Sequence, residues 1–179
     1  LGIRGDGLEC VAARWRSEWC CRGELRRQTP GGLLLSVGLN DTARVGRIDG
    51  RPQLDVEAFS FGLGQLLNEM TQEVQVFVLG LTAVDEHVMP FAGCLWYSNS
   101  QIAATEAVMA EQCREADVPF LPMHQEMQEE PDWLTWMEPD GIHLNADGHR
   151  WLEQRLDQWA PLREWAGLAS HNTPTPISM

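Results

Sequence analysis

Apolar residues recur along this chain in two alternating rhythms. From Leu8 to Leu25 they fall at positions 8, 11, 12, 15 and 19, the period of a helix with Trp15 and Trp19 on its inner stripe. Pro30-Gly31-Gly32 breaks that helix. Leu33 to Val37 is a short, nearly continuous apolar run, which suits a strand buried on both faces. Val56 to Met70 returns to helical spacing, with Phe59, Leu63, Leu66 and Leu67 inward, and Val74 to Leu81 is a second buried strand. Ile102 to Ala116 predicts a helix, Val118 to Leu121 a short strand, and Asn145 to Trp159 a helix with Asn145 as its N-cap. A short apolar opening that closes at Ile3 reads as the end of one more strand. Met123 to Met137 mixes acids, Pro131, Trp133 and Trp136, and supports no single assignment.

Strands and helices alternating at this spacing predict an α/β fold: a doubly wound parallel sheet with right-handed crossovers and helices on both faces. In such sheets ligands sit beyond the carboxyl ends of the strands. The segments found there are Gly5-Asp6, Gly38-Leu39-Asn40-Asp41, the stretch from Thr82 to Ser98, and the loop Asp140 to His143.

Composition narrows the class. A chain of 179 residues with 44% hydrophobic residues suits one domain with a real core. No apolar run approaches the roughly 20 residues of a membrane span. All 13 basic residues are Arg, against 26 Asp+Glu, for a formal charge of −13; such acidity argues against nucleic acid as a partner. The charge is segregated: residues 1–53 carry nine Arg and six acids, whereas residues 54–179 carry four Arg and twenty acids. That acidic part forms a solvated surface and disfavours anionic substrates. Cys10, Cys20, Cys21, Cys94 and Cys113 show no metal-ligand spacing. Their odd number, without a charged-then-apolar leader, fits reduced thiols acting as small apolar residues in a cytoplasmic protein.

Asp140-Gly141-Ile142-His143 is the sharpest chemical signal. Three residues apart in a tight turn, a carboxylate can reach Nδ1–H of the imidazole, fix the tautomer and leave Nε2 free as a base. The plain alternative is a loop Asp beside a surface His. Asn40, directly after a buried strand, can present an amide N–H to an oxyanion, or merely close an Asx-turn. Gly5 could offer an unobstructed backbone N–H, or be only a turn glycine. Trp96 and Tyr97 could line a substrate pocket or simply pack the core. His87, beside Asp85 and Glu86, lacks convergent ligands, so no metal site is expected.

Taken together, Ile3-Arg4-Gly5-Asp6, Val37-Gly38-Leu39-Asn40-Asp41 and Asp140-Gly141-Ile142-His143-Leu144-Asn145 resemble the blocks of the SGNH (GDSL-type) hydrolase family, in order and over nearly the whole chain. The resemblance implies a flavodoxin-like sheet and cofactor-free cleavage of an ester through a Ser-His-Asp acyl-enzyme. It implies His143 as base, Asp140 as its orienting partner, and Gly5 and Asn40 as oxyanion donors. Substrates in such a family are small-molecule, lipid or sugar esters. The Gly-Asp-Ser block that supplies the nucleophile is absent, and none of Ser17, Ser36, Ser60, Ser98, Ser100, Ser170 or Ser178 follows Gly-Asp in a strand-to-helix turn. Residues 1–168 are therefore expected to form an SGNH hydrolase-like domain that is incomplete at its amino end and lacks its first strand. Residues 169–179 are expected to be a disordered tail. The competing expectation is a catalytically inactive homologue that serves as a binding or interaction module.

Overall fold

A computed structural model describes residues 2–168. Leu1 and residues 169–179, including the tail expected from the sequence, lie outside the described residues.

Three strands, β1 (Gly32–Leu35), β3 (Gln75–Leu79) and β5 (Phe120–Leu121), form a parallel sheet in the order β1-β3-β5. Gly32 pairs with Gln75 and Leu35 with Val78, while Val78 and Leu79 pair with Phe120 and Leu121. The helices α1 (Leu8–Arg26), α2 (Val56–Thr71), α3 (Asn99–Glu115), α4 (His124–Glu129), α5 (Ala146–Gln158) and α6 (Ala160–Trp165) surround the sheet.

The central strand β3 shows why both faces are covered. Alternate side chains of a strand point to opposite sides, and all of Val76, Phe77, Val78 and Leu79 are buried. Val76 and Val78 join a core with Phe59, Leu63, Leu67 and Met70 of α2 and Ile102 and Met109 of α3. Phe77 and Leu79 join a second core with Leu121, Met127, Trp151 and Trp159. Phe77 meets Trp159 and Trp165 edge-on, with ring centroids 5.7 and 5.6 Å apart, and Trp136 stacks on Trp151. Each fully buried large side chain among them contributes about 1.5–3 kcal/mol by leaving water.

Three features depart from the sequence reading. Residues 2–7 contain no strand: Ile3 C=O accepts the Asp6 N–H at 3.2 Å to close a turn, and Gly5 has φ 84°. An extended segment needs a neighbouring ladder, and among the described residues this one meets none. A two-stranded antiparallel ribbon, β2 (Arg44–Val45) with β4 (Leu95–Trp96), was not foreseen, because two-residue strands carry no periodicity. Among the cysteines only Cys113 is buried, and Cys10, Cys20, Cys21 and Cys94 are exposed. Burial pushes the Cys113 thiol up to about 12.

The outer edge of β1 pairs with no other strand among the described residues. Between that edge and α1 runs a groove of about 710 Å³, lined by Trp15, Trp19, Leu33, Leu35, Asn40 and Leu81. The indole N–H of Trp19 is buried there without a hydrogen-bond partner among the described residues.

Candidate active site

The loop that precedes α5 is held from several directions. Asn145 accepts the N–H groups of Asp147 and Gly148 at 2.9 and 3.2 Å, capping α5 as its sequence position predicts. Its amide donates to the Thr135 and Met137 carbonyls. Gly141, at φ 71°, sits so tightly that a Cβ would strike the Val88 side chain and the Asp85 carbonyl. The Gly141 carbonyl also accepts the Asp85 N–H at 2.9 Å.

Within that loop Oδ2 of Asp140 lies 2.7 Å from Nδ1 of His143. Oδ1 accepts the N–H groups of Ile142 at 2.9 Å and His143 at 3.0 Å. Partial burial pushes the Asp140 carboxyl up. The two backbone N–H groups and the His143 side chain outweigh that effect and hold it below the usual carboxylate range. The His143 side chain is 57% exposed. A carboxylate on Nδ1 leaves Nε2 as the face open to a reactant.

A second set of groups forms where β1 ends. Gly38 has φ 121°, and a Cβ there would crowd Phe59 and Leu81 at 3.0 and 3.2 Å, so the turn needs glycine. The turn delivers Asn40, whose Nδ2 donates to the Asp6 carbonyl at 2.9 Å. Asp41, buried, receives the Leu8 N–H on both carboxylate oxygens, at 3.0 and 3.1 Å. Burial pushes the Asp41 carboxyl up against the pull of that N–H. The contact fixes the first turn of α1, and with it Gly5 and Asp6, against the Asn40 loop.

Aromatic side chains connect the two sets. The Tyr97 hydroxyl donates to Oδ1 of Asn40 at 3.3 Å. Phe91 meets Tyr97 at 6.4 Å and His143 at 5.9 Å between ring centroids, both edge-on. Tyr97 is buried and Trp96 half-buried; both border a small cleft with Ile48 and Met89. Of the residues singled out from sequence, Asn40, Tyr97, Asp140 and His143 thus belong to one connected cluster through Phe91. Gly5 is exposed and precedes Asp6, whose carbonyl binds Asn40.

Sequence reasoning missed a buried polar clamp behind this cluster. Oε1 of Glu106, a residue 8% exposed, accepts the N–H groups of Leu81 at 2.8 Å, Met123 at 2.9 Å and His124 at 3.1 Å. It thereby joins the segments that follow β3 and β5. Nε2 of His124 lies 3.1 Å from Oδ1 of Asn99, which also accepts the Val84 N–H. The available signal was an acid at position 106 on the apolar stripe of Ile102, Met109 and Cys113. Among the described residues no group of His, Cys, Asp and Glu side chains could hold a metal ion, and no helix is long and apolar enough to cross a membrane.

The family model for GDSL-like lipase/acylhydrolases matches residues 1–151. The chain belongs to that family. Solved structures agree in architecture. A lipase/acylhydrolase from Enterococcus faecalis superposes with a TM-score of 0.70 at 20% identity, over 91% of this chain and 72% of that one. A GDSL-like lipase from Bacteroides thetaiotaomicron gives 0.65 at 14% identity, over 92% and 75% of the two chains. An acetylxylan esterase mutant from Geobacillus stearothermophilus gives 0.62 at 14% identity, over 88% and 69%. At these identities the likeness concerns the fold. No curated protein sequence matches the chain.

Proposed function

We propose that this GDSL-like chain carries the base and oxyanion components of an acyl-ester hydrolase whose substrate is a small-molecule, lipid or sugar ester. The observation that carries the reading is the Asp140–His143 contact at 2.7 Å, linked through Phe91 and Tyr97 to Asn40. His143 takes the proton of an attacking serine at Nε2, and Asp140 stabilises the resulting imidazolium. Asn40 Nδ2–H and the Gly5 N–H receive the charge that develops on the acyl oxygen.

Among the described residues no serine is hydrogen-bonded to His143. In this reading the nucleophile is supplied by an extended segment seated in the groove beside β1. The edge of β1 left unpaired among the described residues and the apolar side chains lining the groove suit one added strand, which would lie about 4.8 Å from β1. The test is hydrolysis of short aryl esters, with labelling by a fluorophosphonate, in the chain joined to a strand ending in Gly-Asp-Ser. Turnover abolished by His143→Ala supports the reading. Binding of ester without turnover favours the second one, an inactive interaction module, which the lack of a serine at His143 also allows.

A further inference from the structure

We propose that Tyr97 is a positioning residue: its hydroxyl, hydrogen-bonded to Oδ1, holds the Asn40 amide in the rotation that presents Nδ2 to the oxyanion. The inference rests on the hydrolase reading above. The oxygen and nitrogen ends of an asparagine amide have nearly the same shape, so packing alone does not choose between them. Here the Asp6 carbonyl makes the choice, and Tyr97, whose hydroxyl can donate or accept, holds the chosen amide in place. The Asp6 carbonyl can only accept, and it holds Nδ2 at 2.9 Å. At the opposite end the Tyr97 hydroxyl donates to Oδ1 at 3.3 Å. A flipped amide would set Oδ1 against the Asp6 carbonyl oxygen, two acceptors without a proton between them. With both contacts made, one Nδ2–H is engaged by Asp6 and the other remains for a ligand.

The hydroxyl is well placed for this task. Tyr97 is 4% exposed, and burial raises its pKa, so the group remains a protonated donor. Its ring packs edge-on against Phe91. The next two residues open α3, where Ser98 accepts the Gln101 N–H and Asn99 is pinned to Val84 on both amide ends. A donor held this rigidly imposes its geometry on the softer Asn40 side chain. By drawing density toward Oδ1 it also strengthens the N–H donors at the other end.

Tyr97→Phe keeps the ring and removes only the hydroxyl. In the chain joined to a strand ending in Gly-Asp-Ser, we expect kcat to fall about tenfold, the effect of one hydrogen bond, with KM unchanged. Asn40→Ala should cost about 10²–10³ in kcat, and adding Tyr97→Phe to it should cost nothing more. A full additional loss in the double variant, or a rise in KM with kcat intact, overturns the positioning role. An independent arm follows the Asn40 side-chain amide by ¹⁵N NMR, its signals assigned by their disappearance in Asn40→Ala. Both amide signals should shift in Tyr97→Phe, and unmoved signals overturn the hydrogen bond. Loss of hydrolysis in every form while those signals still move overturns the hydrolase reading instead.

Discussion

Asp140 and His143 are joined twice: Oδ1 of the carboxylate accepts the His143 backbone N–H, and Oδ2 contacts the imidazole Nδ1. One side chain therefore sets both the place of the histidine on the loop and the rotation of its ring. Replacing Asp140 by Asn keeps the size but sets an amide that can also donate against Nδ1, which favours the wrong tautomer. The expected loss in kcat is about 10⁴-fold, with KM little changed, measured on short aryl esters in the serine-containing protein.

The depressed pKa of Asp140 also makes a stability prediction. Its folded-state value lies below the unfolded one of about 3.9. The contribution is therefore present above that pH and lost as pH falls through the lower folded value. The urea midpoints of this chain and Asp140→Asn should differ clearly at pH 5, where Asp140 is ionised. The gap should shrink below about pH 4; a gap constant down to pH 2 contradicts the assignment.

His124 acts in a different window. Burial lowers its pKa, while the nearby charges of Glu106 and Glu86 pull the other way. The unfolded chain binds a proton near pH 6.5 that the folded one resists. Stability from this group is thus complete above about 6.5 and declines as pH falls toward the folded value. His124→Gln should flatten the melting temperature between pH 7 and pH 5, read by circular dichroism.

Removing Glu106 leaves three buried backbone N–H groups without their acceptor. Unsatisfied buried donors cost about 1–3 kcal/mol each, and partial relaxation leaves an expected net loss of about 3 kcal/mol for Glu106→Ala. Urea denaturation measures it. A loss below about 1 kcal/mol would mean that water replaces the carboxylate freely.

Thiol chemistry separates the cysteines. Native protein treated with iodoacetamide at pH 8 should be alkylated at Cys10, Cys20, Cys21 and Cys94 and spared at Cys113, whose pKa burial raises to about 12. Mass spectrometry of peptides decides it.

The elements with strong periodicity are legible in the amino-acid sequence alone. The inward set Phe59, Leu63, Leu66 and Leu67 of α2 is buried, and Asn145 caps α5. Both are local: a stripe repeats within one helix, and a cap acts within three residues. The turn from Asp140 to His143 is legible for the same reason. The links that make a cluster of these parts are not. Phe91 joins His143 to Tyr97, and Asp41 binds Leu8 33 residues away. Such contacts depend on how strands are ordered, which spacing along the chain does not encode. The opening at Ile3 misleads in the opposite way, because an apolar residue becomes a strand only where a ladder receives it.

The groove beside β1 borders both the sheet edge that pairs with no other strand among the described residues and the Asn40 amide. In the reading proposed above, a strand added there would extend the sheet and reach the Asn40 amide in the same movement. On that reading assembly and arming would be one event, and a chain without the added strand would be an unarmed one.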